Sequence, residues 1–188
     1  MTTALIVVDV QNDFCEGGSL AVTGGNVVAA KLASQLSDGR GGYDLVVATR
    51  DHHIDPGSHF SDQPDFVDSW PPHCVVGTPG AELHPELAGF GFDAIFDKGA
   101  YQAAYSGFEG SIGGGEDCVR LADWLRERGV TRVDVVGLAT DYCVRATALD
   151  ADREGFATSV FAQLTAPVHA ERLETVFAEL AERGIGLA

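Results

Sequence analysis

Five potential metal donors fall within a short stretch of this chain. The segments RDHHIDPGSHF (50–60) and WPPHC (70–74) hold Asp51, His52, His53, His59 and His73, which include four of the six histidines. A lone histidine is usually a satisfied structural or surface residue, but a cluster this dense reads as a binding site. Asp51 and His53 are two apart, so in an extended segment they share a face, and His52 points away as the least suited ligand. Pro56-Gly57 and the rigid Pro71-Pro72 supply turns that can return His59 and His73 to that face. Three imidazoles and one carboxylate suit Fe²⁺, Mn²⁺ or Zn²⁺ and leave positions for water or substrate. Cys74, beside His73, is a weaker competitor for the same ion.

A second group of residues could do covalent chemistry. In GLATDYCVRATALDAD (137–152) an apolar run passes into helical spacing. Thr140 reads as the N-cap, with Asp141 in the first turn, where negative charge is favoured. Cys143 then takes the third helical position, where the positive helix end favours thiolate and free N–H groups can receive an oxyanion. By itself, such a cysteine reads equally well as a small buried core residue. Asp9 and Lys98 each follow an apolar run, where a charge is costly unless paired or used. A salt bridge at the sheet rim would account for that pair, but a thiol, a carboxylate and an ammonium together point to thiol activation. Asp9 would accept the thiol proton, a transfer uphill by about 6 kcal/mol from unperturbed values. An ammonium at about 4 Å offsets on the order of 4 kcal/mol of this at an effective dielectric of 20.

The elements that must position these residues are short apolar runs alternating with helical segments. Residues 4–10, 43–50, 92–98, 133–139 and 156–162 read as strands, and 25–37, 115–129, 141–154 and 169–183 as helices. Nearly unbroken apolar strands imply a parallel sheet covered on both faces, hence a doubly wound, Rossmann-like α/β sandwich. In such sheets ligands sit beyond the carboxyl ends of the strands. That rule alone brings Asp9, Asp51, Lys98 and Thr140–Cys143 to one rim. The chain of 188 residues suits one domain, 1–188. Residues 51–90 lack periodicity and form a metal-binding loop insertion, and the glycine-rich 107–116 reads as a surface loop.

Composition narrows the partners. With 12 Lys and Arg against 28 Asp and Glu, the net charge is −16. This disfavours nucleic acid and anionic membranes, and a neutral or cationic small molecule fits best. The longest apolar runs are too short to span a bilayer, and no signal-peptide pattern opens the chain, so a cytoplasmic location is expected. Four dispersed cysteines without a CxxC pair are expected to remain reduced there.

The motifs IVVDVQNDF, DHHIDPGSHF, SWPPHCVVGTPGAELHP, KGAYQAAYSGFEG and VVGLATDYCVRATALDA occur in order over nearly the whole chain. By them the chain resembles the nicotinamidase/pyrazinamidase branch of the isochorismatase-like cysteine hydrolases. The resemblance implies a three-layer α/β/α sandwich around a six-stranded parallel sheet. It also implies an Asp9–Lys98–Cys143 triad, and Asp51, His53, His59 and His73 as metal ligands completed by waters. The implied oxyanion donors are the N–H groups of Ala139 and Cys143, with a non-proline cis peptide at Ala139 or its neighbour. Phe14, Trp70 and Tyr105 match the aromatic walls of the substrate pocket. The implied reaction converts nicotinamide to nicotinate and ammonia through a thioester, with pyrazinamide also accepted and NAD salvage as the role. A monomer or small homo-oligomer is expected. The alternative is a metal-independent amidase or carbamoyl-amine hydrolase of the same superfamily, which generally lacks this histidine-rich segment. Tyr142 and Ser58 depart from the family pattern, where histidine and an acidic residue are common.

Overall fold

A computed structural model describes residues 1–188 except Gly114, which lies in the glycine-rich segment 107–116. The strands are β1 (Thr2–Val8), β2 (Leu45–Asp51), β3 (Ala94–Lys98), β4 (Ser111–Ile112), β5 (Val119–Arg120), β6 (Val130–Leu138), β7 (Ala157–Ala166) and β8 (Gly186–Leu187). They form one sheet in the order β5-β4-β3-β2-β1-β6-β7-β8. From β3 to β8 all neighbours are parallel, giving the six parallel strands expected. The two-residue β4 and β5 add an antiparallel extension beyond β3, so the whole sheet has eight strands.

Strand β1 shows why the sheet must be covered on both sides. Ala4 to Val8 are all fully buried, and alternate residues face opposite layers. Ala4, Ile6 and Val8 pack with Leu125, Ala148 and Leu180 from α3 (Leu121–Glu127), α4 (Arg145–Arg153) and α5 (Leu173–Glu182). Leu5 and Val7 pack with Val28, Leu32 and Leu87 from α1 (Gly25–Ser37) and α2 (Pro85–Ala88). The three layers follow from that alternation.

Two local expectations are corrected. The helix read over 115–129 begins only at Leu121, because Gly113 and Gly115 take positive φ and Val119–Arg120 pairs with β4 instead. The N-cap ahead of Cys143 is Ala139, with extended dihedrals, and Thr140 already belongs to the helical turn. The cis peptide lies between Leu138 and Ala139. Just before it, Gly137 has φ 109°, and a side-chain carbon there would meet the Val8 carbonyl oxygen at 2.2 Å. Only glycine allows β6 to approach β1 this closely at the rim.

Candidate active site and metal centre

The sheet order sets the site. Lys98 ends β3, Asp51 ends β2, Asp9 follows β1, and Cys143 lies just past β6, so four adjacent strands deliver four functional groups to one rim. Asp51 and Lys98 are register partners. Asp9 adopts φ 48°, a left-handed conformation costly for a non-glycine residue, and its N–H is held by the Thr49 carbonyl at 3.2 Å. The Thr49 hydroxyl donates to Asp9 Oδ1 at 2.6 Å.

Lys98 is fully buried at the centre of this group. Its Nζ lies 2.9 Å from Asp9 Oδ2 and 3.8 Å from Cys143 Sγ. It donates to Asp51 Oδ1 and, at 2.9 Å, to the Ala104 carbonyl. The hydrogen bonds of the ammonium go to Asp51, the Ala104 carbonyl and the Cys143 sulfur, so Asp9 Oδ2 is an ion-pair partner that accepts no hydrogen bond. It is the acceptor left free beside the thiol.

The electrostatics bear on the expected proton transfer from Cys143 to Asp9. Burial pushes the Cys143 thiol well above its ordinary pKa; Lys98 pulls it down, while Asp9 and Asp51 push it back up. The one ammonium is shared with a second carboxylate, so it cannot serve the thiol alone. Burial raises Asp9 too, with Asp51 adding to the rise against Lys98 and Thr49. Burial also acts to raise Asp51, but the charge of Lys98 and the contact with His53 hold its carboxyl well below the usual range. Burial alone would lower Lys98, yet Asp51, Asp9 and Cys143 keep it firmly protonated. Burial therefore favours the neutral thiol and raises the basicity of Asp9, and the groups titrate as a coupled unit.

Beside this group, the ligand atoms of His53, His59 and His73 lie within 4.8 Å of one another. Asp51 Oδ2 is 3.6 Å from His53 Nε2 and 3.9 Å from His73 Nε2. His53 Nδ1 bonds the Gly99 carbonyl at 2.6 Å and His73 Nδ1 the Pro71 carbonyl at 2.8 Å, which turns each Nε2 inward as a lone-pair donor. His53 Nε2 and His59 Nδ1 are buried without a hydrogen-bond partner. Burial, with His73 and His53 nearby, lowers the His59 pKa to about 4, so its ring is neutral near pH 7. Orphaned ring nitrogens beside an anionic oxygen fit a divalent cation. His52 faces Asp97 instead, at 3.7 Å. Cys74 is buried outside the histidine cluster, its thiol pushed up by burial and by Asp51 and Asp13.

Two positioning residues were not singled out from the sequence. Gln11, fully buried, donates through Nε2 to the carbonyls of Asp51 and Ala81, both at 2.8 Å, and accepts the Asp51 N–H at 2.8 Å. It clamps the backbone of Asp51 on both sides. Asp13 accepts the Cys74 N–H at 2.8 Å, fixing the chain after His73, where Cys74 has φ 47°. Both lie in DVQNDF (9–14); the signal available was a buried amide and an acid two and four residues beyond Asp9.

A pocket of about 450 Å³, counting its open mouth, leads down to Cys143. Phe14, Trp70, Tyr105 and Ala139 line it, as do Asp51, His59 and His73, while His53 lies behind the wall. Its walls are mostly aromatic and aliphatic around a few polar groups, the make-up of a small-molecule site. At its floor the helical turn widens: the Ala139 carbonyl accepts the N–H groups of Tyr142 and Val144, both at 3.1 Å, and passes over that of Cys143.

The rim thus joins a buried thiol, carboxylate and ammonium to a histidine-rich cluster on a doubly wound sheet. Residues 3–187 match the family model described as the isochorismatase domain. The chain is 55% identical over 184 residues to a nicotinamidase/pyrazinamidase of Mycobacterium tuberculosis, covering 98% of this chain and 97% of that one. It is also similar to the crystal structure of a Pyrococcus horikoshii pyrazinamidase in complex with zinc. That likeness has a TM-score of 0.81 and 37% identity, over 100% of this chain and 99% of the other. PnC1 from L. infantum, solved in complex with nicotinate, gives a TM-score of 0.83 and 36% identity over 100% and 92%. The chain belongs to the isochorismatase family. Among the described residues no helix is long and apolar enough to cross a membrane.

Proposed function

We propose that this chain is a nicotinamidase that also accepts pyrazinamide, acting as one domain in the cytoplasm with Cys143 as nucleophile. The observation that carries the reading is the meeting of Cys143, Asp9 and Lys98 beneath a pocket whose other end holds the histidine cluster. The 55% identity to a nicotinamidase/pyrazinamidase over nearly the whole chain supports the same substrate.

The ring stacks against Phe14 and Trp70, with Tyr105 closing the wall. Asp51, His53, His59 and His73 would hold Fe²⁺, Mn²⁺ or Zn²⁺, which when bound supplies a Lewis-acid partner for the ring nitrogen. Asp9 takes the Cys143 proton through the free Oδ2 as the sulfur attacks the carboxamide carbon. The N–H groups of Ala139 and Cys143 receive the oxyanion. As the C–N bond breaks, Asp9 passes its proton to the leaving nitrogen, releasing ammonia and leaving a thioester. Asp9 then deprotonates a water, whose attack breaks the C–S bond, and the proton returns to Cys143 as nicotinate departs. Lys98 stays protonated throughout, limiting the charge that accumulates on Asp9.

Ammonia release from nicotinamide, measured with and without a chelator, tests this. Expected is turnover that falls on chelation and returns with added divalent cation. Turnover indifferent to chelator would favour a metal-independent amidase, and none on nicotinamide or pyrazinamide would overturn the substrate assignment.

A further inference from the structure

The pocket above Cys143 is separated from a second hollow by two tyrosine side chains. That outer hollow, of about 550 Å³ counting its mouth, is lined by Val67, Asp68, Ala146, Arg145 and Arg172. Tyr105 and Tyr142 line both spaces. Tyr105 is tied into the inner wall by the indole N–H of Trp70 at 3.2 Å, whereas Tyr142 reaches outward to Arg172 in the wall of the outer hollow.

The Tyr142 ring is fixed from several directions. Trp70 meets it edge-on with centroids 5.1 Å apart, Tyr105 lies at 5.8 Å and His169 at 6.1 Å. The Arg172 guanidinium sits 5.3 Å over the ring and donates to the phenol oxygen at 3.2 Å. The backbone of Tyr142 is held independently, its N–H bonded to the Ala139 carbonyl, so a smaller side chain would leave the turn before Cys143 in place.

We propose, resting on the amide-hydrolase reading above, that Tyr142 is a specificity residue whose ring partitions the two hollows and limits substrates to a single unsubstituted ring. Shortening it joins the spaces. The enlarged site takes pyridine carboxamides bearing an aryl substituent, because the guanidinium face now covered by Tyr142 becomes a stacking surface for that second ring.

The test compares wild type, Tyr142→Ala and Tyr142→Phe on nicotinamide and on nicotinamides carrying a phenyl group at C4, C5 or C6 in turn. The readout is kcat/KM for the best substituted amide divided by kcat/KM for nicotinamide on the same enzyme, which cancels any general loss. Expected is a rise of at least about tenfold for Tyr142→Ala, carried by KM, the scale on which pocket size discriminates small groups. Tyr142→Phe, which keeps the partition, should stay at the wild-type ratio. Arg172→Ala added to Tyr142→Ala should reverse much of the gain. Tyr142→Leu, still shorter than the ring, serves if the alanine variant does not fold. An unchanged ratio in the shortened variants overturns the partition while hydrolysis of nicotinamide persists. No hydrolysis of nicotinamide even by wild type overturns the amide reading, and the partition with it.

Discussion

Replacing Lys98 with methionine keeps the length of the side chain and removes its charge, leaving Asp9 and Asp51 buried on either side of an apolar group. In the native site the ammonium lies 2.9 Å from Asp9, bonds Asp51 directly and has no exposure to solvent. Removing one partner from such a buried arrangement costs about 3–5 kcal/mol. For a chain of this size each kcal/mol lowers the midpoint by about 2–4 °C, so Tm should fall by roughly 6–20 °C. The sign of the pH dependence is specific. With Lys98 present, the depressed Asp51 contributes stability above its unfolded pKa that is lost as pH falls. Without it, both carboxyls are raised above about 3.9, so the variant is best folded in acid and loses stability as pH rises. The two curves should converge toward about pH 4 and separate toward neutrality. Thermal unfolding followed by circular dichroism, with chelator present so that Asp51 faces only the protein, measures the gap. A deficit below about 1 kcal/mol at neutral pH, or one that is equally large in acid, would refute the account of Lys98 as the shared counter-charge.

Other perturbations test the remaining parts of the site. Cys143→Ala should abolish turnover while cation content stays at the wild-type level; steady residual ammonia release would rule out covalent catalysis by this thiol. Gln11→Leu strips the partners from the Asp51 N–H and carbonyl and from the Ala81 carbonyl. Each orphaned group costs about 1–3 kcal/mol, and cation affinity should fall about 10–100-fold. A titration showing wild-type affinity would exclude the clamp. His59 has its folded pKa lowered to about 4, so the unfolded chain binds a proton first as pH drops below about 6.5. Its contribution to stability is complete above that value and is lost as pH falls. His59→Leu in chelated protein should therefore flatten the decline of Tm between these limits, and an unaltered slope would contradict the shift.

The sequence by itself determined the strands and what stands at their ends. Unbroken apolar runs and helical spacing are local patterns, and the carboxyl-end rule then placed Asp9, Asp51, Lys98 and Cys143 on one rim before any contact was known. Histidine density and the two-residue offset of Asp51 and His53 were equally local. Tertiary structure decided what these groups do to one another. Only the register of β2 against β3 puts Asp51 beside Lys98, so a residue read as a metal ligand also draws off the charge meant for the thiol. Only burial under both layers decides that the Cys143 thiol is pushed up and that Asp9 is a stronger base than Asp51. The Gln11 clamp joins residues 40 and 70 positions apart in the chain. The short β4–β5 edge likewise exists because β4 pairs with β3 and β5 with β4, although the sequence read as a glycine-rich loop leading into a helix. Proton affinities and pairings of this kind are sums over groups distant in sequence, and a one-dimensional pattern carries no record of those distances.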